Sequence, residues 1–74
     1  MTETKTVDAR GLSCPQPVLL TRRAISGLAE GVVEVLVDSG TSRDNVIRCA
    51  QSAGWTVTIQ EAPGGDCRLV LRKR

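Results

Sequence analysis

The sequence of 74 residues contains no histidine, tyrosine or phenylalanine, and Trp55 is its only aromatic residue. Without histidine the chain lacks the commonest general base and the commonest metal ligand, which excludes a Cys-His dyad and disfavours a zinc site. Without further aromatic rings it has no stacking platform for single-stranded nucleic acid. We therefore expect no metal, no cofactor and no direct nucleic-acid partner.

Neither charge nor apolar length is extreme in this sequence. Ten basic and eight acidic residues give a net charge of +2, which is too close to balance to indicate a polyanion partner. The first eight residues are polar, and no apolar run approaches the ~20 residues that span a bilayer. We expect a cytoplasmic protein of one domain, residues 1–74, with a modest core and no deep substrate cavity.

The three cysteines, Cys14, Cys49 and Cys67, are odd in number and widely spaced. This spacing gives neither a disulfide framework nor a paired-cysteine motif. Cys49 and Cys67 share their sides with apolar residues, so we expect both to be packing residues. The basic residues at positions 72–74 are expected to be solvated, as short charged tails usually are.

Apolar periodicity predicts the element order strand, helix, strand, helix, strand, strand. The predicted strands cover residues 6–9, 32–37, 55–61 and 67–72, and a Pro-Gly-Gly-Asp turn joins the last two as a hairpin. The side chains predicted to face inward are Val18, Thr21, Ala24, Ile25 and Leu28; Val33, Val35 and Val37; Val46, Cys49, Ala50 and Ala53; Val57 and Ile59; and Leu69 and Leu71. The fold class is thus predicted as α+β, a two-layer α/β sandwich in βαβαββ order, with two helices on one face of a four-stranded mixed sheet.

Two capping patterns predict where the helices begin. Ser13 with Gln16 has the spacing of a capping box, and Pro15 and Pro17 then fall in the first turn, where prolines cost little. Thr41 with Asp44 repeats this spacing before the second helix, and Gly54 is expected to end that helix. Cys14 is therefore predicted to lie at the first turn of a helix.

Cys14 is the candidate reactive residue because of this position. Free backbone N–H groups and the positive end of a helix dipole favour a thiolate, so we expect its thiol pKa to be lowered. Pro15 and Pro17 should hold the loop open and keep the sulfur exposed. No second cysteine lies two or three residues away, which disfavours a dithiol redox cycle and favours the carriage of a single sulfur.

Residues 8–18, Asp-Ala-Arg-Gly-Leu-Ser-Cys-Pro-Gln-Pro-Val, resemble the signature of the TusA/SirA/YedF-like sulfur-carrier proteins, whose mark is a Cys-Pro-x-Pro motif. The length, the order of elements, the strand that begins at Gly31 and the segment 38–44 are also similar to this family. The stretch 43–48 looks more like the YedF-type branch, which is sometimes linked with selenium metabolism.

The resemblance implies that Cys14 accepts a sulfane sulfur from a cysteine desulfurase or another sulfurtransferase. It then passes the sulfur to an acceptor protein in sulfur transfer, tRNA thiolation or selenium-related metabolism. Arg22 and Asp38 match family positions implicated in partner contact, and we expect Arg43 to support the persulfide or the partner with them. Catalysis would belong mainly to the partners, so the chain is expected to resemble a sulfurtransferase without independent turnover.

Several alternatives stay open on the sequence alone. The chain is alternatively a small protein-binding or regulatory module in which Cys14 is a redox-sensitive contact, or Cys14 is an unreactive loop thiol. A thiol reductase is disfavoured by the lone motif cysteine. Arg22 could cover apolar surface with its stem, and Asp38 could accept hydrogen bonds from turn N–H groups.

Overall fold

The computed structural model describes residues 4–12, 15–28, 30–61 and 63–73, so Ser13 and Cys14 lie outside the described residues. Within these ranges the predicted order of elements is confirmed. The elements are β1 (Thr4–Asp8), α1 (Gln16–Ile25), β2 (Gly31–Val37), α2 (Gly40–Ser52), β3 (Thr56–Glu61) and β4 (Cys67–Lys73), with a 3-10 turn at Pro63–Gly65.

The four strands form a mixed sheet in the order β1-β2-β4-β3. β1 pairs in parallel with β2, whereas β4 is antiparallel to both β2 and β3. A parallel pair needs a crossover connection, and α1 supplies it between β1 and β2. Val35 at the centre of β2 opposes Val7 on one side and Leu69 on the other. The predicted mixed sheet is confirmed.

Both helices pack against the same face of this sheet, as predicted. Side chains along β2 alternate between buried and half-buried, which is the pattern of a strand with one face in the core. One apolar cluster joins the two helices to the sheet. Its buried members are Ala9, Ile25, Val33, Val35, Val37, Val46, Ala50, Trp55, Leu69 and Leu71.

The first helix begins later than predicted. Its N-cap residue is Pro15, with φ −99° and ψ 16°, and helical geometry starts at Gln16 without a side-chain cap. Gln16 is therefore the first helical residue and not the third, and the predicted cap Ser13 lies outside the described residues. Pro17 is buried at the second helical position, where its missing N–H costs no hydrogen bond.

The second helix begins earlier than predicted. Ser39 is the N-cap residue, and its side chain accepts a hydrogen bond from the Ser42 N–H at 3.1 Å. The predicted cap at Thr41 is wrong because Thr41 already lies inside the first turn. The helix ends as predicted, since Gly54 has φ +87°, a left-handed conformation that favours glycine.

Ile59 was predicted to face the core, but 51% of it is exposed. It opposes the fully buried Leu69 in the register of β3 with β4. β3 is an edge strand, so a residue on its inward side lies at the margin of the helical layer. Ala53, also predicted to face inward, is exposed just beyond the end of α2.

The register partners Leu69 and Ile59 give a matched stability test. We expect Leu69→Ala to lower the free energy of unfolding by about 2–5 kcal/mol, because it leaves a cavity in the core. Ile59→Ala should cost less than about 1 kcal/mol, since half of that side chain already meets water. Urea unfolding followed by Trp55 fluorescence measures both, and equal losses would contradict the assigned core.

Candidate functional site

The loop between β1 and α1 carries Cys14 and is tied down before it reaches that residue. Ala9, directly after β1, is fully buried, and its N–H donates to the Leu36 carbonyl at 2.9 Å. The loop therefore leaves the sheet beside the end of β2. Gly11 follows with φ +76°, a left-handed turn conformation that glycine adopts without strain.

Asp38 anchors the loop from the end of β2. Its Oδ2 accepts a hydrogen bond from the Gly11 N–H at 2.7 Å, three residues before Cys14 in the chain. Asp38 was predicted as a partner contact, with the alternative that it accepts a turn N–H. The structure shows the second of these interactions. A partner role for Asp38 stays a prediction.

Arg10 forms a second set of contacts that hold the loop, and these contacts were not predicted from the sequence. Its guanidinium makes two 2.9 Å bonds to the Asp8 carboxylate and a 3.3 Å bond to Asp66. Asp8 ends β1 and Asp66 precedes β4, so the three charges link both elements at one end of the sheet. The hydrogen bonds from Arg10 lower the pKa of Asp8 to about 2 and raise the pKa of Arg10.

The start of α1 is shaped by its two prolines. Pro15 and Pro17 have no N–H, so the first-turn amide donors of α1 are those of Gln16 and Val18. The Pro17 carbonyl accepts a 2.8 Å bond from the buried Thr21 hydroxyl. α1 has no acidic residue, and Arg22 and Arg23 lie in its last turn. An anion at this helix start meets amide donors and no carboxylate of α1.

The predicted basic residues lie in different surroundings. Arg22 is exposed on α1 and lines an open groove between α1 and α2. Arg43 on α2 donates to Asp44 at 3.3 Å and also interacts with the Cys67 side chain, and these two contacts raise its pKa. Arg43 is not among the groove-lining residues, so the structure does not bring the two arginines together there.

An open groove of about 770 Å³ lies between α1 and α2, and we call it the helix groove. Its lining includes Pro15, Trp55 and Lys73. Cys49 lines the groove and is half-buried, whereas Cys67 is half-buried against the core. The sequence did not reveal the position of this groove.

Four residues around these features were not predicted as site residues: Arg10, Asp66, Arg48 and Lys73. The spacing of Asp8 and Arg10 is a local signal, because an aspartate side chain often accepts the backbone N–H two residues on, as it does here at 3.1 Å. Lys73, expected to be solvated, is half-buried and donates to the Ala53 carbonyl at 3.1 Å. This contact joins distant parts of the chain and has no local sequence signal.

Among the described residues no group of three cysteine, aspartate or glutamate side chains could hold a metal ion. None of the helices in the described part of the chain is long and apolar enough to cross a membrane.

The anchor at Asp38 predicts a local effect of its removal. Asp38→Ala should lower the free energy of unfolding by about 1 kcal/mol and speed amide hydrogen exchange at Gly11, because that N–H loses its acceptor. Asp38→Asn keeps a side-chain oxygen and should lose less. The matched control is Glu30→Ala, an exposed site. Unchanged exchange at Gly11 in Asp38→Ala would contradict the anchoring role.

The Arg10–Asp8 pair predicts a pH dependence of stability. The pKa of Asp8 is lowered from 3.8 to about 2 in the folded protein, so the unfolded state binds the proton more readily. The stabilisation is complete above about pH 5 and is lost progressively as the pH falls through 3.8 and then through about 2. The stability difference between wild type and Asp8→Asn should shrink over this window.

An NMR titration of the Asp8 carboxyl checks the cause directly. In Arg10→Ala the pKa of Asp8 should move back towards 3.8, because its hydrogen-bond donor is gone. An unchanged titration curve in that variant would show that Arg10 is not the origin of the shift.

Comparison with known proteins places these features in a family. The family model described as "Sulfurtransferase TusA" matches residues 5–73. A protein of Methanocaldococcus jannaschii named "Putative sulfur carrier protein MJ0990" is 37% identical over 70 residues, which cover 93% of each chain. A Halobacterium salinarum protein, also named as a putative sulfur carrier protein, is 45% identical over 72 residues, covering 95% of this chain and 89% of the relative.

A solved structure agrees with the sequence relatives. The crystal structure of a SirA-like protein from Desulfitobacterium hafniense superposes with a TM-score of 0.84 at 35% identity, covering 95% of this chain and 96% of that one. The family match spans both helices and β2, β3 and β4, and it includes the loop anchored by Asp38 and Arg10. The chain therefore belongs to the TusA family of sulfur-carrier proteins.

Proposed function

We propose that this protein carries a sulfane sulfur on Cys14 as a persulfide, taking it from one protein and giving it to another. The observation that carries the proposal is the anchored loop. Asp38 and Arg10 hold the backbone just before Cys14, and the chain then leads directly into the start of α1. Cys14 precedes Gln16, the first residue of α1, by two positions in the chain, and the start of a helix is the positive end of its dipole.

The sulfur transfer is balanced without an added oxidant or reductant. The Cys14 thiolate attacks the outer sulfur of a donor persulfide, and a new S–S bond forms as the donor's S–S bond breaks. The donor cysteine leaves as a thiolate, and Cys14 holds the persulfide. In the second step an acceptor nucleophile attacks the outer sulfur, and the Cys14 thiolate is released.

The described surroundings support a negative charge at this point of the chain. The N–H groups of Gln16 and Val18 and the dipole of a ten-residue helix favour an anion, and α1 has no carboxylate to oppose it. Arg22 lies further along the same helix as a positive group that a partner can reach. Pro15 and Pro17 restrict the backbone of the helix start, so little conformational freedom is lost there on binding.

In this proposal the protein carries the sulfur between two partner proteins. The sulfur donor is a cysteine desulfurase or another sulfurtransferase, and the acceptor is a further protein in sulfur transfer, tRNA thiolation or selenium-related metabolism. Arg22, Asp38 and Arg43 are proposed contacts for these partners. Residues 1–74 act as one carrier domain in the cytoplasm, and the partners supply the turnover.

Sulfur loading tests this function. After incubation with a cysteine desulfurase and cysteine, the intact mass of the wild-type protein should rise by about 32 Da per sulfur atom. The added mass should disappear on treatment with a thiol reductant, because a persulfide is reducible.

The control variant is Cys14→Ser, with Cys49→Ser and Cys67→Ser as matched single-cysteine changes. Only Cys14→Ser should abolish the adduct. The proposal fails if the wild type gains no sulfur, or if Cys14→Ser gains as much as the wild type.

A further inference from the structure

We propose that the helix groove is the docking site for an acidic, amphipathic segment of the protein that exchanges sulfur with Cys14. This inference rests on the proposed function, because it identifies where the sulfur-transfer partner binds. It adds a surface to which α1 and α2 both contribute, together with the chain beyond α2, including Arg48, Trp55 and Lys73.

The groove has the size and lining of a binding cleft. Its volume of about 770 Å³ lies within the range of about 300–1,000 Å³ that ligand clefts occupy. Val18, Ile25, Leu28 and Trp55 contribute apolar side chains, and Ile25 and Trp55 also belong to the buried core. Apolar lining residues of this kind favour an occupant that has an apolar side of its own.

All charged residues that line the groove are basic: Arg22, Arg48 and Lys73. Arg22 and Arg48 are exposed, and neither forms an ion pair with a residue in the described ranges. The Lys73 ammonium donates to a backbone carbonyl and forms no ion pair with a carboxylate among the described residues. The rim is therefore complementary to a negatively charged occupant.

The position of the groove indicates a protein segment as that occupant. Pro15 lines the groove and directly follows Cys14 in the chain. Sulfur transfer requires contact between Cys14 and a sulfur of the partner, so the partner surface must lie beside Pro15. The groove is open along its length, which suits a polypeptide that continues from this point between α1 and α2.

Trp55 makes the occupation of the groove directly measurable. It is the only aromatic residue, it is 3% exposed, and it lines the groove. The probe is a synthetic 14-residue peptide with leucine and glutamate at helical spacing, titrated into the full chain. We expect a saturable change in Trp55 emission that weakens as salt is raised. The same peptide with lysine in place of glutamate should cause no change.

Reversing the charge of a groove residue tests whether the peptide binds in the helix groove. Arg48→Glu should raise the half-saturating peptide concentration by at least about tenfold, because a favourable charge contact becomes repulsive. Arg68→Glu is the matched control, since Arg68 is exposed on β4 outside the groove, and its effect should stay within about twofold. Circular dichroism shows whether each variant is folded. If Arg48→Glu does not fold, Arg48→Gln takes its place in the titration.

Several outcomes would overturn the proposal. The first is that the glutamate peptide does not bind, and the second is that Arg48→Glu and Arg68→Glu have equal effects. The third is that citrate or a single-stranded oligonucleotide displaces the peptide at a concentration lower than that of the peptide. The fourth is that protein concentration alone changes the emission. Loading of wild-type Cys14 from inorganic polysulfide is measured separately. Its failure counts against the carrier function, whereas failure of peptide binding counts against the groove.

Discussion

The parallel pairing of β1 with β2 is the constraint on which the rest of the site depends. It requires a crossover through α1, so the loop leading to α1 starts at the same end of the sheet where β2 finishes. Asp38 emerges at that end and accepts the Gly11 N–H. An antiparallel pairing would put the end of β1 beside the start of β2 and remove this contact.

Electrostatics in this small chain acts locally. Among the described residues the ion pairs join Arg10 to Asp8 and Asp66, and Arg43 to Asp44. The first set ties Arg10, on the loop before Cys14, to the end of β1 and to the residue before β4, which holds the backbone of a transfer site. Arg22 and Arg48 have no carboxylate partner there, which leaves positive charge at the helix groove for another molecule. Exposed pairs contribute little to stability, so their value lies in position.

Much of the fold could be predicted from the sequence, because apolar periodicity and β-branched runs report directly on local structure. The strand centred on Val35 is an example, since its alternating valines determine both its conformation and its buried face. Helix starts were less predictable: Ser39, and not Thr41, caps α2, and α1 starts at Gln16 after Pro15 without a side-chain cap. The exposure of Ile59 and the bond between Asp38 and Gly11 depend on sheet order, which no local pattern contains.

The central claim is that sulfur is carried on one cysteine of three, and mapping of a heavy sulfur isotope tests it most directly. The protein is loaded from a desulfurase supplied with isotopically labelled cysteine, alkylated without reduction and digested. The account predicts that the labelled sulfane sulfur is recovered on the peptide containing Cys14 and lost from it when an acceptor is added. Label on the Cys49 or Cys67 peptides in place of Cys14 would contradict it.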